Sequence, residues 1–138
     1  MKWSHFHRGT RGSESVESVV ALPVMLLVIF GGFEYGWAVL KKVQIEHAAR
    51  VGARVASLSG ASSQQVTEAV QNALQGSGVV DATVTLDPLD PSAASAGTVI
   101  EVRVEAPYAS NRLLGLSQIM PLPTSLSGSA SMIREPDA

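Results

Sequence analysis

The chain has 138 residues, enough for one small domain, and its composition is 46% hydrophobic and only 16% charged. Soluble domains usually carry about 25% charged residues, so the balance points to a packed helix or a membrane span. A net charge of −2 without any basic stripe argues against nucleic acid as a partner, and the lack of cysteine excludes a disulfide framework, a thiolate metal site and a lipoprotein anchor.

Residues 1–12, MKWSHFHRGTRG, form a short leader that holds Lys2, Arg8 and Arg11 and no acidic residue. Val19 to Leu40 then gives 22 residues with one charge, Glu34. As a helix this run is about 33 Å long, against a hydrocarbon core of about 30 Å. Pro23 lies inside it, and proline is tolerated in membrane helices. The helix is expected to continue, with Lys41 and Lys42 at head-group level. Val43, Ala48, Val51 and Val55 then recur at roughly helical spacing, and Glu46 stands four residues before Arg50, in the favourable order for an ion pair. Gly60 is a stop signal.

A second helix is expected over residues 63–75. Ser62 or Ser63 caps it, Val66, Ala69, Val70, Ala73 and Leu74 form its apolar stripe, and Gly76 ends it. The period then changes to two. Val80, Ala82, Val84 and Leu86 alternate with polar positions, as do Ile100, Val102 and Val104 with Glu101, Arg103 and Glu105, so both stretches read as half-buried strands. The intervening DPLDPSAASAG is long for a hairpin loop. From Ala106 to Pro123 the pattern is weak. One helical turn is expected at NRLLGL, and Pro121 and Pro123 block a central strand. A last strand is expected at 125–133, with Leu126, Ala130 and Met132 on one face.

No catalytic constellation is visible. His47 stands alone on a helix, the serines lack a G-x-S-x-G turn or triad partners, and no phosphate-cradling glycine loop occurs. The expectation is a protein that is not an enzyme and uses no cofactor and no metal.

The N-terminus carries the functional signal. Its simplest readings are a secretory signal peptide, which would make the chain an exported protein, or an uncleaved signal anchor. The apolar run exceeds a usual signal core, and a small-residue cut site after Phe33 is poor. Neither reading accounts for Gly12 and Glu17. A basic leader, then Gly12, then Ser13 to Glu17, then an apolar helix resembles a type IV prepilin. More narrowly, VESVVALPVMLLVIFGGFEYG, with Leu22-Pro23 and Glu34-Tyr35-Gly36, followed by HAARVGARVAS at 47–57 and SGSASMIRE at 127–135, resembles the TadE-like minor pilins, or pseudopilins, of the Tad tight-adherence system that builds the Flp pilus. The chain departs from that pattern at Ser18, where the family usually has an aromatic residue.

The resemblance implies cleavage by a prepilin peptidase between Gly12 and Ser13, with Glu17, five residues past the cut, as an assembly residue. A carboxylate in the membrane is costly, and the new α-amine of Ser13, from its own chain or a neighbour's, is the cation that would pair with it. Glu34, Tyr35 and Gly36 are expected to take part in helix packing or an interface. Glu34 would either snorkel or bond to a neighbouring helix. Charge counting leaves orientation near a tie; the resemblance implies a cytoplasmic N-terminus.

The expected fold is α+β: a long N-terminal membrane-spanning helix that continues into a small domain with a second helix and a roughly three-stranded antiparallel sheet. The expected divisions are a leader at 1–12, a transmembrane helix at 13–40 and an extracytoplasmic domain at 41–138. The expected function is that of a structural or assembly-priming subunit of an adhesive type IV-like pilus. Its implied partners are a prepilin peptidase, other pilins and pseudopilins, Tad assembly platform proteins and the lipid of the inner membrane. The alternatives are a signal-anchored envelope interaction protein and an exported enzyme.

Overall fold

The first helix, α1, runs unbroken from Arg11 to Ala56, 46 residues or about 69 Å. It belongs to a computed structural model that describes residues 11–136; residues 1–10, most of the expected leader, lie outside the described residues. The order that follows is α2 (Ser63–Leu74), β1 (Thr83–Asp87), β2 (Val99–Pro107), a one-turn helix α3 (Tyr108–Asn111) and β3 (Ser125–Ile133), with short 3-10 turns at Pro91–Ala93 and Leu116–Gln118. The fold class is α+β, as expected.

Two regimes divide α1. Every residue from Val16 to Phe30 is exposed, and only at its end, at Leu27 and Phe30, does another segment, residues 116–120, lie alongside this half. From Gly31 onwards one stripe is buried: Glu34, Ala38, Lys41, Ile45, Ala48, Ala49, Gly52, Ala53 and Ala56. This stripe corrects the expected one, since Val43 is exposed and Val51 and Val55 are only half-buried. The reason is size. Alanines and a glycine let α2 and the sheet approach the α1 backbone, which the valines would hold off. A Cβ at Gly52 would sit 2.5 Å from Val70 Cγ2 and 3.1 Å from Val102 Cγ1, so α2 and the sheet converge on this one position. The expected Glu46–Arg50 ion pair is present on the outer face, at 3.6 Å.

The second helix begins with a reciprocal cap. Gln65 N–H donates to Ser62 Oγ and Ser62 N–H donates to Gln65 Oε1, which satisfies two of the free donors of the first turn. Its buried residues Val66, Val70 and Leu74 face α1 and the sheet.

The sheet is antiparallel in the order β1-β2-β3, with Leu86 opposite Val102 and Val102 opposite Ala130. Central β2 alternates as read from the sequence: Ile100, Val102, Val104 and Ala106 are fully buried, while Arg103 and Glu105 point outward. Gly128 of β3 lies against α1 so closely that a Cβ there would come within 2.8 Å of the Glu46 backbone.

Two boundaries differ from expectation. β1 starts at Thr83, so Val80 is not in the sheet. Asp81 has φ of +57°, which breaks an extended strand, and the Asn111 carboxamide takes both backbone groups of Val80 instead. The helical turn in the weakly patterned segment falls at Tyr108–Asn111, earlier than the expected NRLLGL, and Gly115 interrupts that stretch with φ of +77°.

Candidate functional site

The notable site is a polar band around α1, between residues 34 and 41. An apolar helix supplies few hydrogen-bonding side chains, so each that it does supply inside a fold must find a partner. Glu34 is fully buried. Its Oε1 accepts from the Tyr108 hydroxyl at 2.5 Å and its Oε2 from the Leu114 backbone N–H at 2.7 Å. On the flank of the helix, Tyr35 donates through its hydroxyl to the Pro121 carbonyl at 2.6 Å. The Trp37 indole N–H donates to the Asn111 carbonyl at 3.0 Å. Asn111 is itself buried, and its amide nitrogen donates to the carbonyls of Val80 and Pro107.

Lys41 closes the band. It is 2% exposed, its Nζ donates to the Ser77 carbonyl at 2.6 Å, and it lies 4.7 Å from the centre of the Trp37 ring. Burial lowers the proton affinity of its ammonium group below the ordinary lysine value. Burial, and then the bond to Glu34, pushes the Tyr108 phenol above its ordinary value, which keeps it a donor. Together these side chains tie the 77–80 turn and the 107–121 segment to one level of α1. The band is a clamp rather than a reaction centre. It has no nucleophile–base pair, and among the described residues no three acidic or imidazole side chains gather to hold a metal ion.

The residues singled out from the sequence fall into separate places. Gly12 and Ser13 lie in the first turn of α1, and Glu17 is on its exposed half. Glu34 is engaged inside its own chain, by Tyr108 and Leu114, rather than by snorkelling. Tyr35 is partly exposed but tied to Pro121, and Gly36 is open, with nothing within 4 Å of where a Cβ would stand. Lys41, expected at head-group level beside Lys42, is buried under the 77–80 turn, while Lys42 is exposed. Tyr108 and Asn111 were not identified from the sequence. The only available signal was that a glutamate in an apolar run needs a donor, and nothing in the pattern links it to residues more than 70 positions away.

α1 is long and apolar enough to cross a membrane, and its most apolar window is almost entirely uncovered by the rest of the chain. No curated protein and no solved structure matches the chain. One family matches, described as TadE-like protein, and it covers residues 12–54. That match begins one residue into α1 and ends two residues before its last, so it is the long helix of this chain that is similar to TadE-like proteins.

Proposed function

We propose that the protein is a minor pilin or pseudopilin of a Tad pilus, matured by a prepilin peptidase that cuts between Gly12 and Ser13. A TadE-like segment points to a Tad pilus-associated protein. The observation that carries the finer reading is the two-part helix. One half of α1 is bare and apolar, and the other half bears the folded domain without a break in the helix. A subunit built this way is held in the membrane by the bare half and can be lifted from it as one rigid piece. The clad half still presents an open apolar stripe, Gly32, Gly36, Val39 and Val43, on the side away from its own domain. Two glycines on that stripe admit close approach by a second helix. This is where a neighbouring pilin would pack, and Gly36 belongs to it.

Glu17 is then the residue that fixes the register of one subunit against the next, through the α-amine of a processed Ser13. The domain faces away from the cytoplasm and the leader stays on the cytoplasmic side. The exported-enzyme reading is disfavoured by packing. A cut after Phe33 would fall inside a helix whose Gly31 and Glu34 are already buried in the domain.

N-terminal mass spectrometry of the membrane-bound protein, made beside its peptidase, tests the reading. A chain that begins at Ser13 supports it. One that begins at Met1 is a signal-anchored protein, and one that begins beyond about Phe33 is a secreted protein; either result overturns it. Gly12→Val should accumulate full-length precursor in the membrane.

A further inference from the structure

The segment from Leu113 to Met120, LLGLSQIM, carries no charge and folds back onto the bare half of α1. Met120 covers Gly31 so closely that a Cβ there would meet its Sδ at 2.8 Å. Leu116, Ile119 and Met120, with Leu27 and Phe30 of α1, line a half-open pocket of about 190 Å³ walled by apolar side chains alone. The same segment turns Leu113, Leu114 and Ile119 outward, and Ile119 is 66% exposed. The outer faces of α2 and of the sheet are polar by contrast, with Gln64, Glu68 and Gln71 on one and Arg103 and Glu105 on the other.

Depth along the helix identifies what covers these side chains. Between Glu17 and the buried Glu34 there are 16 residues, about 24 Å of helix. The hydrocarbon layer is about 30 Å thick. An apolar layer that begins at Ser18 takes in Leu27 and Phe30 and reaches past Glu34, and one that begins at Ser13, with Glu17 inside it, still takes in Leu27 and Phe30 and ends about at the level of Glu34. The 113–120 segment packs at that level, so it lies at membrane depth, on the side where α1 leaves towards the domain. Its rim fits a membrane surface. Arg112 is exposed at its start, and Tyr35, Trp37 and Lys42 stand one to three turns further along α1 than Phe30. Aromatic rings and long cationic side chains favour the interfacial layer.

We propose that residues 113–120 form a second lipid contact, with Leu113, Leu114 and Ile119 seated among the acyl chains beside α1. The proposal rests on the reading of α1 as a membrane span. The Glu34 clamp is what holds the segment there, since Leu114 N–H and Tyr108 both bond to that carboxylate. A single helix can rotate and tilt freely; a helix with a lateral foot cannot. The foot thus fixes which side of α1 faces a neighbouring subunit.

The absence of native cysteine makes the test direct. Val24→Cys, Leu113→Cys, Ile119→Cys and Ser59→Cys are each labelled with an environment-sensitive fluorophore. The full chain is then placed in phosphatidylethanolamine–phosphatidylglycerol vesicles, with and without acyl-chain spin-labelled lipid. Blue-shifted emission that the spin label quenches at 113 and 119, as at 24 but not at 59, supports the lipid contact. Quenching at 24 with water-like emission at 113 and 119 overturns it and leaves the span intact. Blue-shifted but unquenched emission at 113 and 119 means that protein, a second copy or another subunit, covers them, and also overturns it. No quenching at 24 removes the span itself, and the foot with it.

Discussion

The two halves of α1 are one continuous helix that meets two different surroundings. From Val16 to Phe30 large side chains project on every side, and all of them are exposed. From Gly31 to Ala56 one side narrows to alanine and glycine and is buried, while the other keeps charge at Lys42, Glu46, Arg50 and Arg54. The first half has no inside, so what covers it must come from elsewhere. The second half is amphipathic in the ordinary way and makes the domain's core. Hydropathy along the chain does not mark the change, because Phe33, Val39 and Leu40 are as apolar as Leu26. What marks it is the clamp at Glu34.

If the halves are independent in this way, changes in the clad half should damage the domain and spare the bare one. The largest effect is expected at Val102, which is fully buried against α1 and α2. Val102→Asp would bury a carboxylate with no cation facing it, a cost of roughly 3–5 kcal/mol. In detergent the domain should become sensitive to protease while vesicle insertion of the chain persists. The adjacent Arg103→Asp, on the exposed face, should stay within about 0.5 kcal/mol. Equal effects would mean that the strand faces are assigned wrongly.

Glu34 tests the boundary itself. Glu34→Leu would leave the buried Tyr108 hydroxyl without an acceptor, at about 1–3 kcal/mol, and would cost less at the part-buried Leu114 N–H. Urea unfolding should show that loss, and proteolysis should open the 107–121 segment first. Glu34→Gln should cost less, since an amide can accept from Leu114 and donate to the Tyr108 oxygen. A Leu variant as stable as the parent would show that the clamp does not hold the two parts together.

A methyl group added in two places sharpens the contrast further. Gly128→Ala forces a Cβ to within 2.8 Å of the Glu46 backbone, which cannot move aside as a side chain can, and should cost about 1–3 kcal/mol. Gly36→Ala meets nothing and should stabilise the helix by up to about 1 kcal/mol. If assembly uses the open stripe, Gly36→Ala will nevertheless weaken pilus-dependent adherence, so thermal melting and adherence should move in opposite directions.

On folding, the smallest effect is expected at Glu17. Glu17→Leu removes a desolvation cost, so processing and insertion should be normal or slightly improved. Adherence should be lost, because a neighbour's amine would be left without its partner. Full adherence with leucine at this position would return α1 to a plain anchor.

The sequence by itself determined the elements. Periods of 3.6 and 2 gave both main helices and all three strands, because the side chains that alternate along a strand or recur along a helix are local in sequence. The Glu46–Arg50 pair and a serine cap at residue 62 or 63 were legible for the same reason, since both are local in sequence, whereas the part of Gln65 in the cap emerged only in the structure. The apolar run, with Gly12 and Glu17 before it, was equally visible, and it led to the family that the 12–54 match supports. The tertiary structure decided where the bare helix ends. It chose the alanine and glycine stripe over the valines, because the closeness of α2 and β3 to the backbone depends on what they bring and not on the hydropathy of α1. It also brought Tyr108 and Leu114 to Glu34 across 74 and 80 positions of chain. A buried carboxylate announces that it needs donors, but only the fold determines which residues provide them.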